Sequence, residues 1–541
     1  MNWVFKYDFL LVSILFLVVE LIVNPFGEFP LNDDWAYSKL INNCLIKGEF
    51  KYSNWQAIPG LPQFAVGLAI AKVFGFSFTV LRLTTILITL LMIFIFNTCL
   101  NENKIKPILK VFILLTFVFN PLIINLSNTF LPDIIQLFFC LLAFKALIRF
   151  TKKENAFNFI LFIFFTLLGT LNRQSALALP LIFALIYIYK SPKTAIKFLV
   201  ALLPLIVNVL ALIITESLLK SYHTLPANYN LQLQNILNSV SHPTFNIIKS
   251  TAYYFICSTM CLGLFILPLV ILNFKKHFKM MRNSIVSKSI FLIYIALIVL
   301  KIILSENVFP FTGNMFYHLG LGPIILTGFN TDQPSEISFI AKTLWVILNF
   351  VGGIGFYFSI NSIVKQIRSS CNLDIRTPGL FFIFLLVFYL LPVCMNYAND
   401  RYLIFVLPFY ILSYVLSIDN NGSNLFFVAL FSPMLYFSVA STHDYLEVNR
   451  MRWNASNYLI KKLRISPEKI DGGFEFNAWY FSETGNYIPS HKGRWWWVGQ
   501  PKYIISLKVI KGAVVESEFK FNSLLFSENN KIYVLRYSKP D

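Results

Sequence analysis

The chain has 541 residues, of which 57% are hydrophobic and only 13% charged, with 57 Phe and a mean hydropathy of +0.65. A soluble domain is nearer 45–50% apolar and ~25% charged, so the composition excludes an ordinary soluble protein and points to repeated membrane crossing. The formal net charge of +19 does not mark a nucleic-acid groove, because the Lys and Arg sit in short loops between apolar runs.

The first apolar run, at about 8–24, has no small-residue cleavage site after it and reads as a retained signal anchor. Next comes FPLNDDWAYSKLINNCLIKGEF, residues 29–50. Its apolar positions Tyr37, Leu40, Ile41, Cys44 and Leu45 have the spacing of one helix face, and Gly48 supplies a stop. This helix is too short to span and is expected along the outer membrane surface. Asn32 is then its N-cap, with Asp33 and Asp34 in the first turn, where the helix dipole favours anions by ~0.3–1 kcal/mol. A cap alone accounts for the acidic pair. A catalytic role needs further polar groups on the same side.

Further crossings are expected at about 79–98, 109–126, 133–150, 156–171, 174–190, 196–216, 249–273, 285–304, 338–360, 379–396, 401–418 and 424–440, about thirteen in all. Basic clusters fall in every second loop: Lys104, Lys106 and Lys110; Lys152 and Lys153; Lys190, Lys193 and Lys197; Lys275, Lys276, Lys279 and Arg282; Lys365, Arg368 and Arg376. All are cytoplasmic together if Leu61–Phe76 and Met315–Phe329 lie at the outer interface without crossing. The N-terminus is then cytoplasmic, and a small α/β segment after about residue 441 is extracytoplasmic, with YIISLKVI and IYVLRY as strands. The expected fold is thus an all-α polytopic membrane domain, 1–440, with first-outer-loop helices at about 25–78, followed by a soluble domain, 441–541.

The same alternation places several ionisable groups on the outer side. Arg82 opens the second crossing; Asp133 lies in NTFLPDIIQLFF, Arg173 and Gln174 in GTLNRQSALALP, Asp400 and Arg401 in MNYANDRYLIFVLPFY, and His318 in NMFYHLGLGP. Each has a local account. Asp133 follows Pro132 as a helix-start residue, Arg401 pairs with Asp400, and Arg173 snorkels to headgroups. Together on one leaflet, carboxylates and guanidinium groups are equipment for proton abstraction beside a bound phosphate. The seven Cys show no framework spacing, and Cys257 and Cys261 share a helix face as buried thiols. Trp495, Trp496 and Trp497 suit an interfacial aromatic belt better than a sugar-stacking platform.

The segments NDDWAYSKLINNCLIKGEF, LPDIIQLFFCLLAF, LNRQSALALPLIF and NDRYLIFVLPFYIL resemble the GT-C superfamily of glycosyltransferases that use lipid-linked sugars. The similarity is to family 39-like members, which include protein O-mannosyltransferases and lipid A aminoarabinose transferases, and it is strongest over residues 8 to 190. DGGFEFNAWYF and RWWWVGQPKYIISL are similar to soluble ends of some bacterial members. The resemblance implies that Asp33, first of the acidic pair in the first outer loop, is the catalytic base, with Asp34 beside it and Asp133 as the acidic residue of the second outer loop. This chain has Asp-Asp where many members have Asp-Glu or Glu, and Pro-Asp where they have Thr-Asp.

No GxGxxG or P-loop is present to cradle a nucleotide. The expected reaction is therefore transfer of a hexosyl or pentosyl group from a polyprenyl-phosphate donor in the bilayer to a hydroxyl of a glycan, lipid or protein, at the outer face of a bacterial inner membrane. Inversion would follow from direct attack, with Asp33 as base and Arg82, Arg173 or Arg401 at the leaving phosphate. No cofactor is required by the sequence, although converging acidic sites are compatible with Mg²⁺ or Mn²⁺. Two other readings stand beside it. One is a lipid-linked polysaccharide polymerase or ligase, for which the loop at about 217–248 offers Lys220, His223 and His242. The other is a secondary transporter or flippase, which calls for midplane charges and two related halves.

Overall fold

The computed structural model describes residues 8–103, 105–190, 194–305, 308–316, 339–369, 378–396, 398–418, 424–483, 497–498, 501–525 and 530–537. In chain order the helices are α1 (Asp8–Val23), α2 (Asp34–Lys47), α3 (Leu61–Phe74), α4 (Phe78–Glu102), α5 (Pro107–Val118), α6 (Pro121–Ser127), α7 (Pro132–Lys152), α8 (Ala156–Asn172), α9 (Ala178–Lys190), α10 (Ala195–Ser221), α11 (Leu231–Ser241), α12 (Phe245–Val270), α13 (Phe274–Arg282), α14 (Ile285–Ser305), α15 (Phe339–Ser369), α16 (Pro378–Asn396), α17 (Leu403–Leu416), α18 (Asn424–Asn457) and α19 (Phe474–Phe481). The strands are β1 (Ile470–Asp471), β2 (Tyr503–Ser506), β3 (Ala513–Lys520) and β4 (Lys531–Tyr537). The protein is a multi-pass helical membrane protein with a small mixed sheet near its C-terminus.

Each run expected to cross carries a helix. Among the described residues eight helices are long and apolar enough to span by length and composition, or nine if the bent pair α5 and α6 is one span. The count of about thirteen is reached only with α1, α8, α9 and α17, of 16, 17, 13 and 14 residues. Of these, α17 is buried along nearly its whole length, so its surroundings are protein rather than lipid. Of the expected interfacial segment Met315–Phe329, all but the first two residues lie outside the described ones. The 61° bend between α5 and α6 has a local cause. Pro121 has no N–H to continue the ladder, and Asn120 caps the new helix by accepting from Leu122 N at 3.0 Å.

Two close approaches of helices depend on glycine. A Cβ on Gly67 of α3 would meet Ile41 Cδ1 of α2 at 2.4 Å and Phe130 Cζ at 2.6 Å. A Cβ on Gly263 of α12 would lie 2.0 Å from the carbonyl oxygen of Gly352 on α15, and one on Gly352 would lie 2.4 Å from that of Met260. Small residues let helix backbones touch where lipid gives no hydrophobic drive to association.

Helix α18 runs 34 residues, through the boundary expected at 440. The sheet order is β1-β2-β4-β3, with β1 and β2 parallel and the other pairs antiparallel. Ile532, Val534 and Leu535 of β4 are buried, and Asp444 of α18 anchors the loop between β3 and β4 by accepting from Leu524 N at 2.7 Å and Leu525 N at 2.9 Å. Next to this sheet, α19 folds back onto α2. Lys39 Nζ donates to Trp479 O at 2.8 Å, and Asn43 Nδ2 donates to Glu483 Oε1 at 2.8 Å. Helix α2 therefore does not lie open on the membrane surface as its stripe suggests. It is held between α3 and α19, with Trp35, Ala36, Leu40 and Ile41 all buried.

Candidate active site

The two acids of the first outer loop do different things because consecutive helical positions point about 100° apart. Asn32 is not the cap: it adopts φ 53°, and Asp33 holds the N-cap position without a side-chain capping bond. Asp34 turns inward and is 3% exposed. Its carboxyl accepts from Leu31 N at 2.6 Å and from Phe130 N at 3.2 Å, which ties the first outer loop to the second. Burial pushes this carboxyl up to about 7, against the pull of Arg82 and those two N–H donors.

Asp33 turns the other way. Its Oδ1 accepts from Trp55 Nε1 at 2.9 Å, and its Oδ2 accepts from Arg401 Nη2 at 3.1 Å, across 368 positions of sequence. A second ion pair lies beside the first, with Arg173 Nη1 donating to Asp133 Oδ1 at 2.6 Å. Tyr402 joins them: the Arg173 guanidinium lies 4.1 Å from its ring centroid and that of Arg401 5.6 Å. Tyr37, one turn along α2 from Asp33, feels the charges of Arg401, Asp33, Arg173 and Asp133 together, and burial pushes its phenol upward, so it stays a neutral hydroxyl.

The cluster is not self-satisfied. Arg401 Nε and Nη1 and Asp133 Oδ2 are buried without a hydrogen-bond partner. Buried polar groups are ordinarily paired, and an unmet charged one is costly. The open donors call for an acceptor such as an anionic oxygen, and the open carboxylate oxygen calls for a hydroxyl or water. The site can thus hold a ligand that carries both.

Several neighbours hold these side chains in place. Gln63 Nε2 donates to Phe130 O at 2.7 Å, Gln63 N to Asn172 Oδ1 at 3.1 Å, and Asn172 Nδ2 to Pro132 O at 2.9 Å. These bonds fasten the start of α3, the end of α8 before Arg173 and the start of α7 with Asp133. Trp55 packs with Trp35, Phe474 and Trp497 in one aromatic group, its ring centroid 5.4 Å from that of Phe474 and 5.6 Å from that of Trp497. Trp497 is therefore not in an interfacial belt; Trp495 and Trp496 lie outside the described residues, as does His318.

Three expected site residues have other placements. Arg82 is buried in α4 and donates to the carbonyl oxygens of Asn128 at 2.8 Å, Phe29 at 2.9 Å and Gly27 at 3.3 Å, and to that of Pro25. It fastens the two outer loops and does not join the Asp33 cluster. Asp400 accepts from Met315 N at 2.9 Å and Phe316 N at 2.8 Å, so it caps that turn and leaves Arg401 to Asp33. Gln174 Nε2 donates to Ala57 O at 3.4 Å, just behind Trp55 and Gln56. Trp55, Tyr37, Tyr402 and Gln63 were not legible as site residues: aromatic and amide residues in an apolar chain carry no spacing signal.

A divalent cation has no ready seat here. Among the described residues no three His, Cys, Asp or Glu come together as ligands, and the guanidinium groups of Arg173 and Arg401 occupy one oxygen of each cluster carboxylate.

The chain is similar to three solved structures over most of its length. ArnT from Cupriavidus metallidurans in the apo state is 13% identical, with a TM-score of 0.41, covering 86% of this chain and 83% of that one. The same protein bound to undecaprenyl phosphate is 11% identical, with a TM-score of 0.39, covering 99% and 98%. The archaeal oligosaccharyltransferase AglB from Archaeoglobus fulgidus, in complex with an inhibitory peptide and a dolichol-phosphate, is 14% identical, with a TM-score of 0.43, covering 84% and 58%. The likeness is one of overall fold. No family model matches the chain, and no curated protein matches it in sequence.

Proposed function

We propose that the chain is a membrane glycosyltransferase of the GT-C type, which moves a sugar from a polyprenyl phosphate to a hydroxyl acceptor outside the cytoplasm. The observation that carries this reading is the Asp33–Arg401 contact beside Asp133–Arg173, with buried donors and an acceptor left open. The acceptor oxygen attacks the anomeric carbon while Asp33 takes its proton. The bond from that carbon to the phosphate oxygen breaks, and the electron pair goes to the departing polyprenyl phosphate. Arg401 meets the new charge through its open Nε and Nη1, with Arg173 behind it across Tyr402. Asp133, through Oδ2, orients the hydroxyl. Attack from the face opposite the phosphate inverts the anomeric centre.

The test uses the full chain in lipid nanodiscs and a panel of labelled undecaprenyl-phosphate hexoses and pentoses, presented with bacterial envelope glycans and lipids. Asp33→Asn lowers consumption of the donor by roughly 10²- to 10⁴-fold, the range for loss of a positioned base, while undecaprenyl phosphate still binds. Wild-type turnover in that variant removes Asp33 from the chemistry.

A further inference from the structure

Next to the charged cluster, between α2 and α3, lies a small cavity with room for about one water-sized group. Tyr37, Leu40, Tyr52, Gln56, Gly60, Gln63, Phe64 and Phe130 enclose it, and Tyr37 is the wall it shares with the Asp33 cluster. Its polar equipment is neutral and unfinished. Gln63 is 1% exposed, and while its Nε2 is bound to Phe130 O, its Oε1 is buried with no partner. Gln56 Oε1 accepts from Ser53 N at 3.0 Å, but its Nε2 makes no hydrogen bond among the described residues, nor does the Tyr37 hydroxyl. Gly60, at φ 59°, keeps the space beside Gln63 Oε1 clear: a Cβ there would stand 3.9 Å from that oxygen. Tyr52 is closed off, since its hydroxyl donates to Pro59 O at 2.5 Å.

An orphaned acceptor, an open amide donor and an open hydroxyl lining one cavity fit a group that both donates and accepts one hydrogen bond. The apolar Leu40, Phe64 and Phe130 walls exclude a charge, and no cation or carboxylate lines the space. We infer that this cavity is a subsite for one carbohydrate hydroxyl, which donates to Gln63 Oε1 and accepts from Gln56 Nε2 or Tyr37. The inference rests on the glycosyltransferase reading above. The hydroxyl belongs either to the sugar of the donor lipid or to the acceptor sugar, and both present the same chemistry.

Two variants of the full chain in nanodiscs test it. Tyr37→Phe deletes one hydroxyl, and Leu40→Phe fills the space without touching a charge. The first arm measures affinity for undecaprenyl phosphate with and without an attached hexose or pentose. If the donor sugar occupies the subsite, Tyr37→Phe lowers the preference for the sugar-bearing lipid by roughly 2- to 10-fold, the range for one neutral hydrogen bond. Leu40→Phe then abolishes that preference while sugar-free undecaprenyl phosphate binds as in the wild type. The second arm measures inhibition of transfer by free pentoses and hexoses. If the acceptor sugar is the occupant, both variants weaken that inhibition and leave the lipid preference intact. Wild-type values for both variants in both arms mean that the space holds only a water and overturn the subsite. Failure of the wild type to bind undecaprenyl phosphate at all overturns the transferase reading and the subsite with it.

Discussion

At the scale of single residues, adjacent carboxylates on one helix have separate tasks because one is desolvated and the other faces a guanidinium. Arg401 and Asp33 form a coupled pair, so truncating either leaves a charge poorly matched. Arg401→Gln is expected to reduce donor turnover by roughly 10²-fold or more. The Asp33→Asn and Arg401→Gln double variant should fall short of the product of the single losses in a double-mutant cycle. Full multiplicativity would show that the two act independently. Asp34 gives a prediction with a sign. Its folded value of about 7 lies above the ordinary 3.8, so folding favours the protonated form. The stability it contributes is complete below about pH 4 and is lost as pH rises through 7. Asp400, also raised to about 7 by burial, adds the same slope. The thermal midpoint of the detergent-solubilised protein should therefore fall between about pH 4.5 and 8, and fall less in Asp34→Asn, which removes one of these two titrations. An unchanged slope would show that Asp34 does not titrate in this window.

At the scale of elements, the site depends on helices that touch through glycine and on loops fastened by buried polar side chains. The α12–α15 crossing has no room for a methyl group, since the atoms facing Gly263 are backbone and cannot turn away. Gly263→Ala should lower stability by more than the ~1–3 kcal/mol typical of overpacking, seen as a reduced thermal midpoint in detergent. On the same α15, buried Asn349 donates to Val308 O at 2.7 Å and so fastens the segment that follows α14. Helix α2 is the element that carries Asp33 at its start, and its register is held from the tail by Lys39 and Asn43. Lys39→Met removes the bond to Trp479 O and the contact with Glu483. It should slow transfer several-fold through misplacement of Asp33 while leaving undecaprenyl phosphate bound, a split that a direct role in phosphate binding would not give.

At the scale of the whole molecule, the cluster constrains topology. Asp33, Asp133, Arg173 and Arg401 come from four separate connections, and their contacts require all four on one side of the bilayer. Between Asp33 and Asp133 lie α3, α4 and the bent α5–α6 pair, so the two acids share a side only if α3 does not cross. The opposite ends carry the basic residues: α7 starts at Pro132, beside Asp133, and ends, about 30 Å away at ~1.5 Å per residue, where Arg149 and Lys152 both contact Glu102. On the rule that basic loops stay inside, the cluster and the C-terminal sheet are expected to be extracytoplasmic. A periplasm-dependent reporter such as alkaline phosphatase should be active when fused after residue 541 and inactive when fused in the loop after α7. The reverse pattern would invert the orientation and remove the case for a lipid-linked donor.

The sequence by itself determined the membrane class and the position of nearly every helix, and it offered Asp33, Asp133, Arg173 and Arg401 among nine candidate site residues. Hydropathy and loop charge are local quantities, additive along the chain, so they can be read without coordinates. Which arginine meets which acid was decided only by tertiary structure. Arg82 and Asp400 are the same residue types as Arg401 and Asp33, yet among the described residues their side chains hydrogen-bond to backbone groups that packing brings beside them. The tail's return onto α2 and the unfilled amide of Gln63 were equally invisible beforehand. A hydrogen bond between residues hundreds of positions apart depends on how every intervening helix packs, and no periodicity along the chain encodes that.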